Sequence, residues 1–194
     1  MRKSPWITDG ALSFIDNFIN SFVQKHDIFP NILEFGSGAS TIYFAKKSSS
    51  IISFEHDEAW YQQVNELMPK HDCAKIFLHP RPYSKNIKDI SEFGPFDIII
   101  IDGRDRFQCL KECVNLNLLS SSGAYLLDNT ERVLAKEEGY ANMFSVLGDD
   151  FELNHFEQRG PDLTGWVAPH RWVTTIAQKT FIRNKTKRMD SNMI

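Results

Sequence analysis

Residues able to do chemistry fall at the ends of apolar runs in this chain. The run "ILEF" leads into Gly36-Ser37-Gly38-Ala39-Ser40-Thr41, "IISFE" ends on Glu55, "KIFLH" on His79, "FDIIIID" on Asp102, and "AYLLD" on Asp128 followed by Asn129. Glycines at such a point let the backbone turn sharply and let a ligand approach main-chain atoms without meeting a Cβ. A carboxylate such as Glu55 can accept two hydrogen bonds from a vicinal diol. Asp102, Asp128 and Asn129 offer three oxygens at two neighbouring run ends, a donor set suited to Mg²⁺ with water or substrate completing the octahedron. Without a metal, Asp102 is the leading acid-base candidate, with Asp128 beside it and His79 next.

The elements that must position these residues follow from periodicity. Leu12, Ile15, Ile19, Phe22 and Val23 make one stripe at helical spacing, predicting an opening helix over 8–23 with Thr8 or Asp9 as its cap. Apolar strand-like runs then alternate with helical segments near 57–68 and 105–118. Strand and helix repeated this way predict an α/β fold: a Rossmann-like doubly wound sheet with helices on both faces. A helical stretch around 131–147 precedes two late strands, "FELNHFEQ" and "RWVTTIAQ", one of them antiparallel, with "RGPDLTGWVAPH" between them as a loop. One domain over 1–180 is expected, followed by a basic tail, 181–194, that lacks a core pattern. In such sheets ligands sit beyond the carboxyl ends of the strands, which is where the acids and glycines lie.

Composition narrows the class. The 194 residues, 42% hydrophobic, supply one core, and a net charge of −3 with a pI near 6.1 gives no field for nucleic acid. The most apolar run is far too short to cross a bilayer, and Asp9 and Asp16 interrupt what a signal peptide would leave unbroken. No membrane association is expected. Cys73, Cys109 and Cys113 form no CxxC pair, which fits a reducing cytoplasm, and Cys109 and Cys113 sit one helical turn apart as core residues.

The ligand class comes from spacing. Glu55 follows the glycine turn by about 20 residues, the distance at which an acid reaches ribose hydroxyls in nucleotide-binding α/β folds. The dinucleotide pattern GxGxxG fails because Thr41 stands at its third glycine, and no GxxxxGK[ST] loop is present. What remains, E-x-G-x-G with Ser and Thr, then Glu55, then Asp102, resembles class I S-adenosylmethionine-dependent methyltransferases. "EFGSGAST", "FEHDEAWY", "IIIIDGRDR" and "LLDNTER" resemble a diffuse set of bacterial stand-alone members. The resemblance implies S-adenosylmethionine as cofactor, with Glu34, Gly36, Gly38 and Ser40 along its amino-acid portion, Glu55 on the ribose and His56 on the adenine edge. Asp102 would close the same site. Ser40 departs from the commoner third glycine. Asp57 can cap the next helix, and Trp60 is expected in the core.

At Asp102, Asp128 and Asn129 the chain also resembles cation-dependent O-methyltransferases, the catechol and caffeoyl-coenzyme A group. That resemblance implies a metal that holds a substrate hydroxyl and lowers its pKa. The loop "GRDRF" lacks the lysine common in that group, and Arg104 or Arg106 could orient an anionic substrate but is too basic to act as a base. The expected acceptor is a hydroxyl of a small molecule or sugar, gripped by residues near 81–94 and 158–171: Arg81, Tyr83, Arg159, Trp166 and Arg171. Two other readings stay open: an adenosyl-binding partner subunit without catalysis, and an NAD-dependent oxidoreductase with a worn fingerprint.

Overall fold

Thr8 stops the chain from running straight into its first helix: its side chain accepts the Ala11 N–H, and α1 runs Asp9–His26 behind it. The computed structural model describes residues 5–68, 73–137, 140, 142–161 and 169–180; the tail and Trp166 lie outside them. Ala11, Ile15 and Ile19 form the buried stripe of α1.

Five strands follow in parallel: β1 (Asn31–Phe35), β2 (Ser50–Glu55), β3 (Ala74–Leu78), β4 (Phe96–Ile101) and β5 (Leu119–Leu127). Between them run α2 (Ala39–Ala45), α3 (Glu58–Leu67) and α4 (Arg106–Asn115), plus a 3₁₀ helix at Tyr83–Phe93. Two long strands, β6 (Phe151–Pro161) and β7 (Pro169–Lys179), complete a seven-stranded sheet of order β3-β2-β1-β4-β5-β7-β6. β7 is antiparallel to both neighbours. The doubly wound, mostly parallel sheet expected from the sequence is the observed one.

The run in β4 explains how both faces are filled. Successive strand side chains point to opposite faces. Ile98 and Ile100 pack with Ile15, Ile19, Phe44 and Ile176, whereas Ile99 and Ile101 join Phe35, Tyr83, Cys109, Cys113 and Leu127. A strand covered on both sides reads as continuously apolar, as this one does. The two cysteines are core, as expected.

Two expectations need correction. The helical stretch near 131–147 is two short pieces, α5 (Glu131–Leu134) and a 3₁₀ turn at Met143–Val146. Lys136 takes φ 51°, a left-handed conformation that ends a helix. The loop between the last strands is also shorter, because β6 and β7 pair out to Pro161 and Pro169. Among the described residues no helix is long and apolar enough to cross a membrane.

Candidate active site

The order of strands reverses between β1 and β4, each continuing outward in opposite directions across the sheet, and a crevice opens beyond their ends. Here Gly36 has φ 97°, which only glycine adopts readily, and a Cβ on it would lie 2.5 Å from the Gly103 Cα. Gly103 N–H donates to the Phe35 carbonyl at 2.6 Å. The sharp turn therefore rests on two touching glycines, one of them not singled out in the sequence. Gly38 is different. Its φ of −178° is ordinary extended backbone, and a Cβ there would meet nothing nearer than Trp60 Nε1 at 4.0 Å.

Beneath the turn sits Glu34, fully buried. It stands opposite Ser53 in the β1–β2 register and accepts that hydroxyl at 2.7 Å. Ser40 and Thr41, in the first turn of α2, donate to its other lone pairs at 2.5 Å each, and Thr41 Oγ1 accepts the Gly38 N–H at 2.8 Å. Burial, opposed by those hydroxyls, pushes the Glu34 carboxyl up to about 7. Glu34 thus braces the glycine turn from below and does not line the cavity above it.

That cavity has a volume of about 660 Å³, and Gly36, Ser37, Gly38, Ser40, Glu55 and His56 line one end. Glu55 is held in place by its own helix start: Oε1 accepts the backbone N–H groups of His56 (2.7 Å) and Asp57 (2.9 Å). Oε2 is 3.5 Å from Ser37 Oγ and keeps capacity for further donors. His56 Nδ1 lies 2.8 Å from the hydroxyl of Tyr83, which is buried and has its ionisation pushed upward by burial and by Glu55. Asp57 caps α3 by accepting the Trp60 N–H at 2.8 Å. Trp60, expected in the core, instead lines the cavity and donates from Nε1 to the Ser37 carbonyl at 2.7 Å.

The other end of the cavity is lined by Trp6, Asp102, Arg104, Asp128, Asn129 and Trp172. Asp102 and Asp128 come together at the ends of β4 and β5, near enough for each to influence the other's ionisation. Burial is the largest cause that raises both carboxyls, Asp102 to about 6 and Asp128 well above its ordinary value, and the Asp102 charge adds to it for Asp128. Thr174 on β7 donates to Asp128 Oδ1 at 2.7 Å. Asn129 holds φ 52°, turning the chain at the strand end.

Arg106, the first residue of α4, occupies the middle of this group. Its Nη2 donates to Asn129 Oδ1 at 3.0 Å, to Asp102 Oδ1 at 3.1 Å and to the Asp102 carbonyl at 2.7 Å. Nε donates to the Gly103 carbonyl at 2.9 Å and Nη1 to the Asp128 carbonyl. The oxygens expected to face a metal face a guanidinium instead. Among the described residues no group of three or more His, Cys, Asp or Glu side chains is arranged to hold a metal. Because Arg106 takes the Asp102 and Asn129 oxygens that a metal would use, this arrangement does not fit Mg²⁺.

Other expected contributors lie elsewhere. His79 ends β3, the edge strand two places from the crevice, and its Nδ1 is 2.6 Å from the Pro80 carbonyl; it does not line the cavity. Arg81 pairs with Asp105 at 2.7 Å, and Arg159 and Arg171 both pair with Glu157 on the β6–β7 ribbon. Trp6 and Trp172 carried no sequence signal, since one precedes α1 and the other sits in a strand pattern.

Comparison with known proteins agrees with this architecture. The fold is the Rossmann-like fold of S-adenosylmethionine-dependent methyltransferases. The chain is similar to the Streptomyces achromogenes O-methyltransferase TomG, involved in tomaymycin synthesis and solved with S-adenosylmethionine (TM-score 0.60, 16% identity, 84% of this chain and 78% of that one). A Bacillus cereus O-methyltransferase solved with S-adenosylhomocysteine aligns at TM-score 0.61 and 17% identity, over 84% and 79% of the two chains. The N-methyltransferase NodS of Bradyrhizobium japonicum WM9, also with S-adenosylhomocysteine, aligns at 0.58 and 12% identity over 92% and 93%. No family model matches the sequence, and no curated protein matches it.

Proposed function

We propose that the protein is an S-adenosylmethionine-dependent methyltransferase acting on a hydroxyl of a small molecule. The observation that carries this reading is one cavity joining the Gly36 turn, Glu55 at the end of β2, and Asp102 at the end of β4. The residues fit the cofactor. Gly38 leaves its Cβ direction open, so a ligand can lie against the backbone there, and Glu55 Oε2 has lone pairs for a ribose diol. His56, fixed by Tyr83, borders the adenine position.

The bound cofactor supplies an electrophilic methyl on a sulfonium. Asp102 would take the acceptor hydroxyl's proton as the new O–C bond forms and the S–C bond breaks. Its raised carboxyl suits that task near neutral pH, because a base works best with a pKa close to the operating pH. Asp128, held by Thr174, keeps the pair oriented. Trp6, Trp172 and Arg104 give the acceptor end aromatic surface and a cation, which favours a ring-bearing acceptor, a sugar among them. Free Cys73, Cys109 and Cys113 fit a cytoplasmic setting.

Calorimetric titration with S-adenosylhomocysteine, and separately with NADH, tests the reading. Saturable S-adenosylhomocysteine binding without an NADH response is expected. NADH binding without S-adenosylhomocysteine binding would replace it with the oxidoreductase reading. Binding that is unaffected while Asp102→Ala leaves transfer rates unchanged would sink Asp102 as the base.

A further inference from the structure

The cluster at the ends of β4 and β5 has the oxygens of a cation site and already contains a cation. Arg106 reaches it because Asp105, at φ 56°, turns the chain left-handed just before α4, so that the first residue of the helix points its side chain back under the strand ends. The Arg106 side chain is 8% exposed, too enclosed to be a surface arginine folded inward. A buried guanidinium is tolerated only where its donors are matched, and here they are. Nε meets Gly103, Nη1 meets the Asp128 carbonyl and lies 3.9 Å from Asp128 Oδ2, and Nη2 meets Asp102 and Asn129. The planar fork spans two strand ends, a match to guanidinium geometry that a lysine ammonium could not make.

We propose that Arg106 takes the place of a divalent cation at the Asp102–Asp128–Asn129 cluster, holding Asp102 in position so that the protein neither binds nor needs a metal there. Magnesium demands near-octahedral oxygens at about 2.0–2.1 Å. To gather Asp102 Oδ1 and Asn129 Oδ1 in that way, a metal would have to expel the guanidinium that hydrogen-bonds both, or sit against it with like charge. Arg106 also ties the Gly103 carbonyl, so the same side chain links the acid pair to the glycine contact beneath the cofactor end. Its role is positioning: from the cavity wall it shares with Asp102, it ties the acid to the loop.

The proposal concerns the cluster and is tested by cation binding, which stays readable if the methyltransferase reading fails. Electron paramagnetic resonance of added Mn²⁺ reports the free ion. For the wild-type protein the free signal is expected to match buffer, and Asp128→Asn to change nothing. A wild-type site that removes one equivalent of Mn²⁺ and is lost in Asp128→Asn would overturn the proposal. Arg106→Ala, or Arg106→Gln should the alanine variant not fold, removes the positive charge and leaves the oxygens. Either folded variant is expected to take up one equivalent of Mn²⁺, and adding Asp128→Asn to it should abolish that uptake. A folded variant without the guanidinium that still ignores Mn²⁺ would show that the cluster is not a cation site and overturn the equivalence.

Discussion

Glu34→Gln keeps a side chain of the same size under the glycine turn and removes its ability to ionise, so its effect should appear as a change in how stability varies with pH. In the folded protein burial raises the Glu34 carboxyl from 4.5 to about 7. Between those values the folded chain holds a proton that the unfolded chain has released. Raising pH therefore favours unfolding: the stabilising contribution is fully present below 4.5 and is lost as pH rises through about 7. At about 1.4 kcal/mol per unit, the interval corresponds to roughly 3 kcal/mol. For a chain of this size that is about 6–12 °C in Tm. The amide can still accept from two of the three hydroxyls and donate to the third, so the variant carries a roughly constant cost across pH. Asp102 and Asp128 push stability in the same direction and are present in both proteins, but the Glu34 charge also raises Asp102, so removing it lowers that carboxyl too and adds to the shift in the variant's favour. Thermal unfolding of wild type and Glu34→Gln, run in parallel from pH 5 to 8, should give Tm differences that shift in favour of the variant as pH rises. Two parallel curves would refute the reasoning and place the Glu34 ionisation in its ordinary range.

Three further outcomes follow from the glycine turn and its braces. Gly36→Ala should cost roughly 2–6 kcal/mol from backbone strain and overpacking against Gly103, read as a fall in denaturation midpoint. Gly38→Ala should leave stability within about 0.5 kcal/mol, because its Cβ meets no neighbour, while weakening S-adenosylhomocysteine binding in calorimetry by intruding on the cavity. Trp60→Phe deletes the bond to the Ser37 carbonyl and should cost about 1 kcal/mol in urea unfolding.

How far these features could be read beforehand depends on whether they are local. The sheet was legible because period-two burial on two covered faces writes itself into "FDIIIID", and the Asp57 cap because it needs only a neighbour three residues on. Glu34 was expected as a ligand contact because the family resemblance implies it; only the register with Ser53 reveals that it points beneath the loop. His79 has the same strand-end signature as Glu55, but β3 is the edge strand, and strand order is not written in any one segment. Arg106 was weighed as a substrate contact. Its burial among Asp102, Asp128 and Asn129 depends on a left-handed residue, Asp105, whose sequence looks like an ordinary polar turn.

The central claim, a ribose held by Glu55, is tested most directly by a cycle of two proteins and two ligands: wild type and Glu55→Ala, each titrated calorimetrically with S-adenosylhomocysteine and with its 2′-deoxy analogue. In wild type the missing hydroxyl should cost roughly 1.5–3 kcal/mol, the range for a hydrogen bond to a charged group. In Glu55→Ala the two ligands should bind alike, both weakened. An equal penalty for the deoxy ligand in both proteins would contradict the account, because the hydroxyl would then be recognised by something other than Glu55.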